Sequence, residues 1–123
     1  AASFFDGNGC KAGCFIGNIA LEMSDVDEKF RERVGRFFAA WTQSVAECLK
    51  RCQDAGYFTP ALDAQAAAES LVSLYEGAIM QAKARRDASV FTKVAPVARM
   101  ILEHHKVANR RDTTMGPKTP CGC

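Results

Sequence analysis

The residues of this sequence best equipped for chemistry are its six cysteines, at 10, 14, 48, 52, 121 and 123. They form C-x-x-x-C, C-x-x-x-C and C-x-C pairs, none of which is the C-x-x-C of a zinc knuckle or a thioredoxin-like redox site. The first pair opens the stretch Gly9-Cys10-Lys11-Ala12-Gly13-Cys14-Phe15-Ile16-Gly17-Asn18, whose glycines permit tight bends and close approach to Cys14. The thiolate is the reactive form of cysteine, and a helix start or a nearby cation stabilises it. Cys14 therefore reads either as a chemical sensor, with Cys10 as a resolving thiol, or as a small core residue, the commoner fate of a free cysteine. Cys48 and Cys52 lie one helical turn apart, where a mutual bridge is geometrically unfavourable, and are expected to be reduced. His104 and His105 could join Cys121-Gly122-Cys123 as soft metal ligands, but neighbouring histidines diverge on a helix. No metal site and no cofactor are expected.

A second chemical group is Lys83, in Met80-Gln81-Ala82-Lys83-Ala84-Arg85-Arg86, on one helical line with Ile79 and Glu76. A lysine there usually covers apolar neighbours with its stem; beside a thiol its ammonium would favour the thiolate. Spacing alone does not bring 83 to 14. Phe30, Phe37, Phe38, Trp41 and Tyr75 form an aromatic set, which reads as ordinary core more readily than as a cavity wall. A P-loop, a dinucleotide fingerprint, an H-E-x-x-H helix and a Ser-His-Asp arrangement are all missing. The chain is not expected to be an enzyme.

These groups must be carried by helices. The 123 residues suit one domain. With 16 basic against 14 acidic residues the net charge is +2, which argues against a nucleic-acid-coating surface. No apolar run reaches the roughly 18 residues of a membrane span, and no signal peptide is evident, so the expected location is the cytoplasm. Apolar spacing predicts a short helix from about residue 11 or 14 to Met23. A long helix comes next, capped by Asp25 with Glu28 as its capping-box partner and stopped by Gly56. Asp63 should cap a third helix running to about Arg86, rich in small residues that let another helix approach. A fourth, over about 89–106, contains Pro96, so a kink or a start near Ala95 is expected. Residues 1–107 are read as one helical domain whose first helix is truncated. Residues 108–123, aperiodic and holding two prolines, are read as a disordered tail.

The segment Gly13-Cys14-Phe15-Ile16-Gly17-Asn18-Ile19-Ala20-Leu21-Glu22, then Asp27-Glu28 with Phe37-Phe38-Ala39-Ala40-Trp41, resembles the C-terminal domain of TetR/AcrR-family repressors. Leu74-Tyr75-Glu76-Gly77-Ala78 and Gln81-Ala82-Lys83 resemble that family's next helix. The resemblance implies an all-α antiparallel bundle, a TetR-type regulatory domain that binds a small-molecule effector between its helices and forms a homodimer through its last two. It places Phe15, Asn18, Phe37, Trp41, Tyr75 and Ile79 at the ligand pocket. Ser70, Ser73, Gly77, Val94, Ala98 and Ile101 fall at the dimer interface. Within the family, Gly-Cys at 13–14 with Gln81-Ala82-Lys83 resembles the electrophile-responsive subgroup typified by the N-ethylmaleimide reductase repressor. That likeness implies Cys14 as sensor with Lys83 as partner. The family's N-terminal helix-turn-helix is absent from the sequence, so DNA would be reached only through a portion outside these residues. A small thiol-dependent redox enzyme using Cys10 and Cys14, and a helical protein-interaction module, are the competing readings.

Overall fold

The structure, a computed structural model, describes residues 14–108. They form four helices: α1 (Phe15–Met23), α2 (Glu28–Asp54), α3 (Ala64–Arg85) and α4 (Val90–Glu103). The described residues are thus all-α, as expected; their one β-type contact is an isolated antiparallel bridge between Phe58 and Lys106. No helix among them is long and apolar enough to cross a membrane. The expectations placed on residues 1–13 and 109–123, including the tail, lie outside the described residues.

Local chemistry sets each boundary. α2 starts two residues later than the capping-box reading places it. Asp27, not Asp25, is the N-cap, accepting from Lys29 N at 2.8 Å and Phe30 N at 3.2 Å. Asp25 loses the role because the turn before it still belongs to α1, whose Met23 carbonyl accepts from Val26 N and Asp27 N. Val26 consequently stands outside this helix and is 74% exposed. α2 closes as foreseen at Gly56, with φ at +82°. Gly56 N bonds Gln53 O and Tyr57 N bonds Cys52 O, the paired bonds of a Schellman ending. Gln53 then ties the next loop down, its Nε2 donating to Thr59 O and Leu62 O.

Asp63 caps α3 through Ala66 N at 3.0 Å. That helix ends in the same type of motif, with Asp87 N on Ala82 O and Arg86 N on Lys83 O. Here Arg86, rather than a glycine, takes the left-handed φ of 53°. α4 runs unbroken from Val90 with Pro96 inside it. It therefore starts at Val90 rather than near Ala95, and ends three residues before the expected boundary at 106.

Packing tracks the apolar lines. α3 is the hub, lying against both α2 and α4, while α1 packs on α2. Ala46, Leu49, Leu62, Ala67 and Ala68 form one core cluster. Ala68, with no exposed surface, lets α2 and α3 approach closely. A second cluster, Ile79, Ala82 and Ala88, has Cys14 and Phe91 packed against it. Cys48 and Cys52 are both disulfide-bonded, which corrects the expectation of reduced thiols. Their spacing weighs only against a bridge within one turn and leaves every other pairing open.

Candidate functional site

Where α1 crosses α3, a small open pocket of about 50 Å³ is lined by Cys14, Gly17, Asn18, Leu21, Glu76, Ile79, Met80 and Lys83. It is small, with room for only a few waters, and open to solvent on one side. α1 contributes Cys14 at its N-cap and the next two turns. α3 contributes the line 76, 79, 80 and 83, which shares one side because of its three- and four-residue steps. The sequence-predicted Cys14, Asn18, Ile79 and Lys83 are thereby brought together, Asn18 and Lys83 across a separation of 65 positions.

The polar groups are arranged asymmetrically. Lys83 Nζ donates to Asn18 Oδ1 at 3.0 Å, so the ammonium addresses the amide instead of the thiol. Cys14 Sγ accepts from Gly17 N at 3.3 Å, the helix-start interaction expected to favour an anion. Burial opposes it and dominates; the hydrogen bonding and charge of the Glu76 carboxylate add to burial, and the thiol is pushed above its ordinary value. In this arrangement Cys14 is a protonated thiol at neutral pH. Glu76 thus acts on the thiol alongside burial, while the Lys83 ammonium, expected beside the thiol, is hydrogen-bonded to Asn18.

Glu76 is the pocket residue that sequence reasoning did not single out. A glutamate in mid-helix reads as solvated, yet its Oε1 is buried with no hydrogen-bond partner. Gly17 allows this: a Cβ there would stand 2.7 Å from Glu76 Oε2 and 3.4 Å from Cys14 Cβ. The available signals were a glycine inside a short helix and an acid sharing the line of Ile79 and Lys83.

The remaining sequence-predicted residues lie elsewhere. Phe37, Trp41 and Tyr75 do not line this pocket; they form a run of ring contacts across three helices. Trp41 meets Phe37 at 6.1 Å, Phe38 at 6.3 Å and, edge-on, Tyr75 at 5.7 Å. Tyr75 in turn meets Phe91 at 6.2 Å. Cys10 and the side chain of Phe15 lie outside the described residues. Ser70 and Ile101 line a second cavity of about 220 Å³ between the start of α3 and the end of α4, with Asp63 and His105. Ser73 is exposed, and Gly77, Val94 and Ala98 are partly exposed.

Comparison with known proteins places this architecture. Two curated relatives align over about three fifths of the chain. The HTH-type transcriptional repressor DhaR of Mycobacterium sp. (strain GP1) is 29% identical over 61% of the chain and 38% of its own length. The transcriptional regulator AcuR of Cereibacter sphaeroides is 30% identical over 62% of the chain and 35% of its own. The chain thus matches less than two fifths of either relative. The crystal structure of a TetR-family transcriptional regulator from Cytophaga hutchinsonii shares the fold, with a TM-score of 0.75 over 79% of this chain and 48% of that one, at 24% identity. Residues 1–97 match the family described as tetracyclin repressor-like, C-terminal domain. With nearly four-fifths of its length inside that match, the chain belongs to the C-terminal domain family of the TetR-type transcriptional regulators.

Proposed function

We propose that this domain senses an effector at the pocket between α1 and α3, and that its state is passed to a DNA-reading portion of a cytoplasmic repressor. Cys14 is the sensor residue in this reading. Lys83, through Asn18, holds the pocket's shape, and Cys10 is the thiol placed by sequence to resolve an oxidised Cys14. The effector is a thiol-reactive electrophile or oxidant, and no turnover is involved.

The observation that carries this reading is the continuity of packing behind the thiol. Cys14 rests on the Ile79–Ala82–Ala88 cluster together with Phe91. Phe91 meets Tyr75, and Tyr75 meets Trp41 on the long helix α2. A group of several atoms added to sulfur exceeds a 50 Å³ pocket. Because interiors are close-packed, the part of the adduct that turns inward displaces these neighbours toward α2.

The same reading includes a homodimer built from α3 and α4. Met80, Val97 and Met100 are exposed on these helices, Met100 at 66%, and Gly77 presents open space where a Cβ would stand. A second copy would bury this apolar, small-residue face in a two-fold four-helix arrangement.

The test is a chimera joining the DNA-binding portion of a relative to this chain, driving a reporter in cells. The reading predicts repression that is relieved by a soft electrophile, with relief lost in Cys14→Ala while repression persists. Relief that survives Cys14→Ala would contradict it.

A further inference from the structure

We infer that Glu76 is the specificity-determining residue of this site: its carboxylate turns anionic reagents away from the Cys14 sulfur. The inference rests on the reading of Cys14 as a reactive site, and it concerns which reagents reach the sulfur rather than the consequences of their reaction.

The geometry makes Glu76 the ionic group that the thiol meets. Its side chain leaves α3 and lies on the bare backbone of α1 at Gly17, one turn from Cys14. Oε1 is buried without a partner, and the carboxylate's hydrogen bonding and charge both act on the thiol. Lys83, two turns further along the same line, directs its ammonium to Asn18. The charge felt at sulfur is therefore negative, and Glu76 acts on the thiol where Lys83 does not. An anion approaching the sulfur meets a carboxylate on the pocket wall, and like charges repel more there than in open water. A neutral reagent escapes this repulsion, and a cationic one is attracted by the same carboxylate. The site thus suits electrophiles that carry no negative charge.

Iodoacetamide and iodoacetate separate these terms, being nearly equal in size and different in charge. Each forms a sulfur–carbon bond as the carbon–iodine bond breaks; iodide leaves with the electron pair, and the thiol proton goes to buffer. Trypsin cleaves after Lys11 and Lys29, so the peptide of residues 12–29 carries Cys14 and no other cysteine, and its labelling can be followed by mass spectrometry. In the native chain the iodoacetamide-to-iodoacetate rate ratio at Cys14 should exceed the ratio for the same residue in urea. Glu76→Gln should bring the two ratios together. It should also raise the iodoacetamide rate above the native one, because a lower thiol pKa gives more thiolate, partly offset by weaker nucleophilicity. Glu76→Asp, which keeps the charge, should keep the raised ratio.

A native ratio equal to that in urea would overturn the inference without any variant. So would a Glu76→Gln chain with an unchanged ratio, or an Asp variant behaving like Gln, which would reduce Glu76 to a packing role. None of these results depends on whether modified Cys14 signals to α2, so failure of the gate and failure of the sensing function remain distinguishable.

Discussion

Replacing Gly17 by alanine should leave the fold standing while releasing Cys14 from Glu76. The added Cβ would stand 2.7 Å from Glu76 Oε2 and 3.4 Å from Cys14 Cβ. Carbon prefers neighbours at about 3.5–4.0 Å, so the carboxylate must retreat by roughly 1 Å. It is the far end of a flexible side chain, and an off-rotamer shift of that kind costs about 0.5–1.5 kcal/mol. Against this, alanine gains up to about 1 kcal/mol of helix propensity over glycine. The two nearly cancel, and thermal unfolding should shift by only a few degrees in either direction. The thiol should change more, because its raised pKa draws on the carboxylate as well as on burial. The pH profile of iodoacetamide labelling in the 12–29 peptide should move to lower pH in Gly17→Ala. An unchanged profile, with stability preserved, would refute the idea that Gly17 seats Glu76 against the thiol.

The thiol's raised pKa also has a stability signature. A group whose protonated form is favoured by folding stabilises below its unfolded value, near 8.5 for cysteine, and that contribution is lost as pH rises through the folded value. Native chain should therefore lose melting temperature as pH rises above about 8.5 more steeply than Cys14→Ser, as calorimetry in parallel buffers would show. Asp27→Ala should cost about 1 kcal/mol in urea unfolding, the usual worth of an N-cap, whereas Asp25→Ala should cost almost nothing, since the caps of α2 are made by Asp27. Gly77→Leu, placed where a Cβ meets open space within the subunit, should weaken dimerisation in sedimentation equilibrium without lowering helix content. Lys83→Ala should change iodoacetamide labelling of Cys14 by less than about twofold, because its ammonium serves Asn18 and screening limits its contribution at a distance; a large slowing would restore it as the thiol's activator.

The helices are legible in the sequence wherever their signals are local. Asp63 and Gly56 carry cap chemistry within a few residues of the backbone groups they satisfy, and both are placed correctly by sequence. Ser24-Asp25-Val26-Asp27 offers two caps, and the choice depends on where α1 finishes drawing on N–H groups, which spacing does not encode. Lys83 shares a helical line with Glu76 and Ile79, and all three line the pocket. The sequence does not show that Asn18 takes the ammonium. Nor does it show that Glu76 is carried onto Gly17, since both depend on how α1 crosses α3. The aromatic set illustrates the same limit. Phe37, Trp41 and Tyr75 do gather, but away from the thiol pocket, and the packing of Tyr75 on Phe91 links the two regions. The state of Cys48 and Cys52 escapes the sequence because pairing depends on tertiary placement rather than on the interval between the two residues.

The central claim, that the state of Cys14 is transmitted to α2, is tested most directly through Trp41, the single tryptophan of the chain and a ring partner of Tyr75. Its emission and the amide hydrogen exchange of α2 should be recorded before and after stoichiometric labelling of Cys14 with iodoacetamide, with Cys14→Ala treated identically as control. Transmission predicts a shift in Trp41 emission and faster exchange around residues 37–45 in the labelled native chain, with neither change in the control. Complete labelling of Cys14 that alters exchange only within α1 and leaves Trp41 unmoved would contradict it.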